Sequence, residues 1–123
     1  EKRKAIANKY REALKEIDGI RFLSDIEGVR HNYAYFPIFI NEKEYGLSRD
    51  ALYEKLKEND IYGRRYFYPL ISTFSAYKGL DSANPSNLPI AHKLASQVLC
   101  LPMFATLDEN GIDRVIEVIR NHK

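Results

Sequence analysis

Residues 31–40, His-Asn-Tyr-Ala-Tyr-Phe-Pro-Ile-Phe-Ile, place aromatic or aliphatic side chains on both parities of an extended chain. A strand alternates its side chains between two faces, so a strand of this kind needs cover on both. Tyr, Phe and Ile also favour the pleated, half-buried surface of a sheet. Pro37 brings no backbone donor, which predicts an edge or a bulge at that point.

The remaining periodicity supplies the cover. Ile6, Tyr10, Ala13, Leu14 and Ile17 make one apolar stripe and predict a helix over 3–17, ended by Asp18-Gly19 with Gly as its left-handed residue. Residues 20–23 predict a short strand and 41–46 a polar turn. Ser48 reads as an N-cap between Leu47 and Leu52, which have the spacing of a hydrophobic staple. The helix it starts runs to about Glu58, with Ala51, Leu52 and Leu56 inward, and closes at Asn59-Asp60. Residues 61–68 predict a third strand, stopped by Pro69. Residues 70–86 are a long irregular connection, in which Phe74 and Tyr77 favour an ordered, docked loop. Asn87-Leu88-Pro89 opens a helix with Ala91, Leu94, Ala95, Val98 and Leu99 inward, stopped by Pro102. Leu107-Asp108 starts the last, with Ile112, Val115, Ile116 and Ile119 inward. The sum is a small α+β domain: a three-stranded sheet with helices packed mainly on one face.

At 123 residues the chain forms one domain over 1–123, and roughly two-thirds of its unfolded surface can be buried. Apolar residues at 45% and charged residues at 29% argue against disorder. A net charge of +2 does not suggest nucleic-acid binding, and no apolar run reaches the ~20 residues of a membrane span. The single cysteine, Cys100, allows no internal disulfide and no cysteine cluster for metal, and favours a reducing, cytoplasmic compartment. A first residue of Glu1, with no signal-peptide pattern after it, reads as a piece cut from a longer protein.

Few residues offer chemistry. His31, His92 and His122 stand far apart without ligand spacing, so locally bonded histidines are the simpler reading. Cys100 follows Val98-Leu99 and reads as a buried, inert thiol. Ser75-x-x-Lys78 lacks the partner motifs of penicillin-recognising enzymes, and no Gly-rich phosphate loop is present. The segment Gly63-Arg64-Arg65-Tyr66-Phe67-Tyr68-Pro69-Leu70 stands out. Guanidinium groups suit phosphate, and on a strand only one of the pair would line a given site. Tyr66 and Tyr68 would share a strand face, and aromatic rings with hydroxyl tips suit sugars and nucleobases.

Four blocks together resemble the C-terminal domain of the DegT/DnrJ/EryC1/StrS family of nucleotide-sugar aminotransferases. They are Arg64 to Leu70, Asn87 to Ala91, Val98 to Phe104, and Leu107-x4-Ile112-x2-Val115-Ile116. The resemblance runs from about Arg3 to Lys123. It implies an aspartate-aminotransferase-like (fold type I) enzyme, of which this chain is the small C-terminal domain. It implies pyridoxal phosphate (PLP), glutamate and a nucleotide-sugar as cofactor and substrates, in a homodimer. It places the cofactor lysine on a large N-terminal domain, and no lysine here matches that position. The chain alone is therefore expected to carry no catalytic residue, to bind no PLP and not to transaminate. Substrate-binding residues implied are Tyr66, Phe67 and Tyr68 as pocket lining, Arg64 or Arg65 for phosphate, and Ser72. Many members continue Pro-Leu with His; here Ile71-Ser72 follows, a variant that looks like the members acting on dTDP-linked 4-keto-6-deoxyhexoses. A non-catalytic sugar-nucleotide module and a purely dimer-completing domain are the alternatives. Docking onto a large domain also predicts an exposed apolar patch.

Overall fold

The first helix, α1, spans Lys2–Leu14 and buries Ile6, Tyr10 and Leu14 of its predicted stripe together with Ala7, while Ala13 is half-buried. It stops short of Ile17, and Gly19, at φ 79°, turns the chain into the sheet. A Cβ on Gly19 would stand 2.3 Å from the Tyr45 amide nitrogen, so close approach as well as φ requires glycine here. The computed structural model describes residues 1–122.

Strand β1, Ile20–Phe22, pairs antiparallel with β2, Phe36–Ile40, Ile20 facing Ile40 and Phe22 facing Ile38. Only half of the predicted strand at 31–40 is strand. The chain before it makes an excursion pinned to α1, where Arg11 Nη2 lies 2.8 Å from Asp25 Oδ1 and the Tyr33 hydroxyl donates to Asp25.

The third strand is not at 61–68. It is β3, Val98–Leu101, antiparallel to β2 on the side away from β1, which makes β2 the central strand. Residues 61–68 contribute one bridge, Arg64 to Cys100. The strand-parity argument for Tyr66 and Tyr68 lapses with that strand. Pro37 is tolerated in the central strand for a visible reason. The Cys100 N–H and C=O both pair with Arg64, so Pro37, opposite Cys100, turns its nitrogen toward β1. There β1 has already ended at Phe22.

One face of the sheet, Phe36, Ile38, Ile40, Leu99 and Leu101, packs into the core with α1 and two later helices. Helix α3, Arg49–Glu58, buries Leu52 and Leu56, while Ala51 is exposed rather than inward. Helix α5, Glu109–Arg120, buries Ile112, Val115, Ile116 and Ile119 as its pattern predicts. Ser48 accepts from the Ala51 N–H and Asp108 from the Gly111 N–H, so both predicted caps are made. The polar turn at 41–46 holds a one-turn helix, α2, Glu42–Tyr45, capped by Asn41 and closed by left-handed Gly46. Helix α4, Pro89–Gln97, is shorter than predicted because the chain leaves it to become β3, and only its Ala95 is buried.

The opposite sheet face carries Pro37 and Phe39, both half-buried, with Val98 and Cys100. The Arg21 guanidinium lies 4.9 Å from the Phe39 ring centroid. Residues 70–86 fold into three short 3-10 turns. They are ordered but not docked as predicted: Phe74 and Tyr77 remain 44% and 48% exposed.

Candidate functional site

Gly63 is buried against Leu99, with room for a Cβ only at 3.1 Å from the leucine side chain, and this brings the chain onto the outer edge of β3. Arg64 takes both hydrogen bonds there, at 3.0 and 2.8 Å to Cys100. The chain then leaves the sheet. Phe67 adopts φ 51° and the Tyr68–Pro69 peptide bond is cis. Phe67 ends 71% exposed.

Beyond the turn, Phe67, Tyr68, Leu70, Ile71, Phe74 and Leu88 line an open, almost wholly apolar cleft of 560 Å³, with Ser72 and Ala91 on its wall. The Ser72 Oγ is buried and has no hydrogen-bond partner. Beside it a second groove of 450 Å³ runs between Arg49, Tyr68, Leu70, Thr73 and His92. The His92 Nε2 there is likewise buried without a partner.

Tyr68 is held by two arginines. The Arg49 and Arg65 guanidinium carbons each lie 4.9 Å from its ring centroid. Arg65 also stacks on Tyr53 at 4.7 Å. Asp50 joins the two cations, 2.7 Å from Arg49 Nε and 3.4 Å from Arg65 Nη1. Arg49 is 3% exposed, and its Nη1 donates to the Ala95 and Val98 carbonyls at 2.8 and 3.0 Å. Those carbonyls close the C-terminal end of α4, where the helix dipole favours a cation.

The predicted residues are therefore divided. Phe67, Tyr68 and Ser72 share the apolar cleft. Tyr66 does not line it; its ring is 4.9 Å from Tyr35 and 4.0 Å from Phe67 in an aromatic row. Arg65 is committed to Asp50 and two rings. Arg64 has no acidic partner among the described residues, and lines a separate 380 Å³ groove with Tyr35, Tyr62 and Phe104. Sequence reasoning missed Arg49. The available signal was a cation at the first position after an N-cap, where the dipole disfavours it and some other use must hold it.

Elsewhere the chemistry is local. Burial pushes the Cys100 thiol up to about 11, with Arg64 pulling weakly the other way. His122 Nε2 is 2.6 Å from the Tyr45 carbonyl, and the His31 Nδ1 accepts from the Tyr33 N–H. No cluster of His, Cys, Asp or Glu among the described residues is placed to hold a metal. No described helix is long and apolar enough to cross a membrane. Pyridoxal phosphate needs a lysine amine and an acid for its ring nitrogen. The cleft lining contains neither, and Asp50 in the second groove is paired with arginine, so these residues do not fit the group.

Fold and site define a small α+β domain with an aromatic, apolar cleft. The chain belongs to the DegT/DnrJ/EryC1/StrS aminotransferase family, whose model matches residues 1–120. It is 44% identical over 118 residues to the dTDP-4-amino-4,6-dideoxy-D-glucose transaminase of Escherichia coli, covering 96% of this chain and 32% of that protein. It is 40% identical to the enzyme of the same name from Shigella dysenteriae, covering 93% of this chain and 30% of that protein. A DegT/DnrJ/EryC1/StrS aminotransferase from Brucella abortus superposes with a TM-score of 0.81 at 31% identity, over 98% of this chain and 30% of that one. DesI, solved in the presence of its TDP-sugar product, superposes at 0.87 with 28% identity, over 97% and 30%. The chain thus spans under a third of the length of the curated relatives it matches.

Proposed function

We propose that residues 1–123 are the small C-terminal domain of a PLP-dependent sugar aminotransferase. The whole enzyme moves an amino group from glutamate to a nucleotide-linked keto-deoxyhexose, for which dTDP-4-keto-6-deoxyglucose is the leading candidate. The observation that carries this reading is the 44% identity, spread over nearly the whole chain, to a dTDP-4-amino-4,6-dideoxy-D-glucose transaminase. The same reading makes the protein a cytoplasmic homodimer, with the cofactor seated on a large domain outside these residues.

This chain's part is to bind and orient. The exposed rings of Phe67 and Tyr68 offer flat apolar faces to the C–H faces of a hexose. The Ser72 hydroxyl, unpartnered but buried behind the cleft wall, can meet a sugar hydroxyl only where the wall shifts on binding. Arg64, unlike Arg65, has a guanidinium to spare for phosphate. The cofactor, when bound to the large domain, supplies the electron sink for amino transfer.

The test is transamination by the full-length protein that contains these residues, supplied with glutamate and dTDP-4-keto-6-deoxyglucose. The expected product is the dTDP-linked amino sugar, identified by mass. Absence of product with every nucleotide-linked keto sugar tried, together with tight binding of a dTDP-sugar by residues 1–123 alone, would support a binding module instead.

A further inference from the structure

Arg49 is a buried cation that joins the start of α3, the end of α4 and Tyr68. Its Nη1 ties α3 to the Ala95 and Val98 carbonyls, its Nε reaches Asp50, and its guanidinium rests on Tyr68. Asp50 extends the lattice to Arg65, which stacks on Tyr68 as well as Tyr53. Tyr68 is the point from which the chain turns into the cleft wall, Pro69 to Ser72. Burying a guanidinium to 3% exposure is costly, and a core could be filled more cheaply by an apolar side chain. What an apolar side chain lacks is direction: a planar fork fixes two carbonyls and a ring at set angles.

We infer that Arg49 is a positioning residue for the sugar cleft: it fixes Tyr68, and through Tyr68 the wall formed by residues 69–72. It touches no substrate itself. The inference rests on the sugar-binding reading of the cleft, but its mechanical half stands apart from any ligand. Lysine at this position keeps the charge and loses the fork, so Tyr68 is released while the core stays filled. Asparagine at position 50, an exposed site, loosens Arg65 and Arg49 together without opening the core.

The experiment uses the full-length enzyme with Arg49→Lys and, separately, Asp50→Asn. Hydrogen exchange of residues 66–74, the sugar KM and the rate of the glutamate half-reaction are measured on each. Arg49→Lys is expected to quicken exchange at 66–74 alone and raise the sugar KM about tenfold, the glutamate half-reaction staying within about twofold. Asp50→Asn should do the same in smaller measure, about threefold in KM, and carries the test if Arg49→Lys does not fold. Unchanged exchange at 66–74 with unchanged sugar KM, whatever happens to the melting temperature, overturns the inference. Quickened exchange in an enzyme that turns over no nucleotide-sugar confirms the clamp and removes the sugar reading of the cleft.

Discussion

Asp25 shows how a single exposed residue can tie down a long excursion. The hydrogen bond from Arg11, then that from Tyr33, lowers its pKa from 3.8 to about 2. A carboxylate with a depressed folded pKa contributes stability that is present above its unfolded value and lost as pH falls through the folded one. The contribution here is small, because the pair is open to solvent and screened by salt. The wild-type chain should lose urea resistance between about pH 4 and pH 2 faster than Asp25→Asn does, and high salt should narrow the gap. Identical pH profiles would show that the contact contributes nothing. Cys100 gives an opposite case: buried, with its thiol pushed up to about 11, it should react slowly with a thiol dye at neutral pH and quickly in urea. Gly19 is held by geometry alone. Gly19→Ala would add strain at φ 79° and a backbone clash with Tyr45, and should cost about 1–3 kcal/mol in a urea melt.

At the scale of elements, β3 carries the sheet. Leu99 is fully buried between the β2 register and the helices, so Leu99→Ala should cost about 2–5 kcal/mol by the same melt. A loss well below that would mean the site collapses without a cavity. The strand was hidden in the sequence because Ala91, Leu94, Ala95, Val98 and Leu99 satisfy a helical period. The competing sign was the unbroken Val98-Leu99-Cys100-Leu101 run before Pro102, which suits a strand buried on both faces. The false strand at 61–68 has the composition of one. Its pairing is confined to Arg64, and the left-handed Phe67 and the Arg65–Asp50 contact mark where the chain leaves the sheet. These are tertiary effects that alternation does not encode. Helices α1, α3 and α5 were legible, since stripe and cap agree in the last two. Of the cleft, Phe67 and Tyr68 stood out in the sequence as part of an aromatic run, and Ser72 came only from the resemblance. The Arg49 lattice was not legible, because it brings the start of α3 against Tyr68 and Arg65 through tertiary contacts.

For the whole molecule the telling quantity is surface. A compact monomer of 14.3 kDa exposes about 6,800 Å². This chain exposes 8455 Å². Part of the excess is apolar: Phe67, Ile71, Leu80 and Ile90 are between 55% and 73% exposed, as are Leu23, Ile26 and Val29 in the excursion before β2. Monomeric proteins seldom leave such surface uncovered, which fits a lobe that works against another domain. Residues 1–123 alone should therefore bind a hydrophobic dye and self-associate, and the full-length protein should bind no dye and associate no further than the proposed dimer. A dye-silent, monomeric fragment would show that the surface needs no cover.

The central claim is that this chain shapes the sugar side of the pocket and leaves the cofactor alone. Phe67→Ala in the full-length enzyme tests it most directly, because Phe67 is 71% exposed and its loss leaves the core intact. The two half-reactions are measured separately. The account predicts a sugar KM raised about tenfold, the value of one lost aromatic face, with cofactor absorbance and the glutamate half-reaction unchanged. An unchanged sugar KM, or loss of the cofactor absorbance, would contradict it.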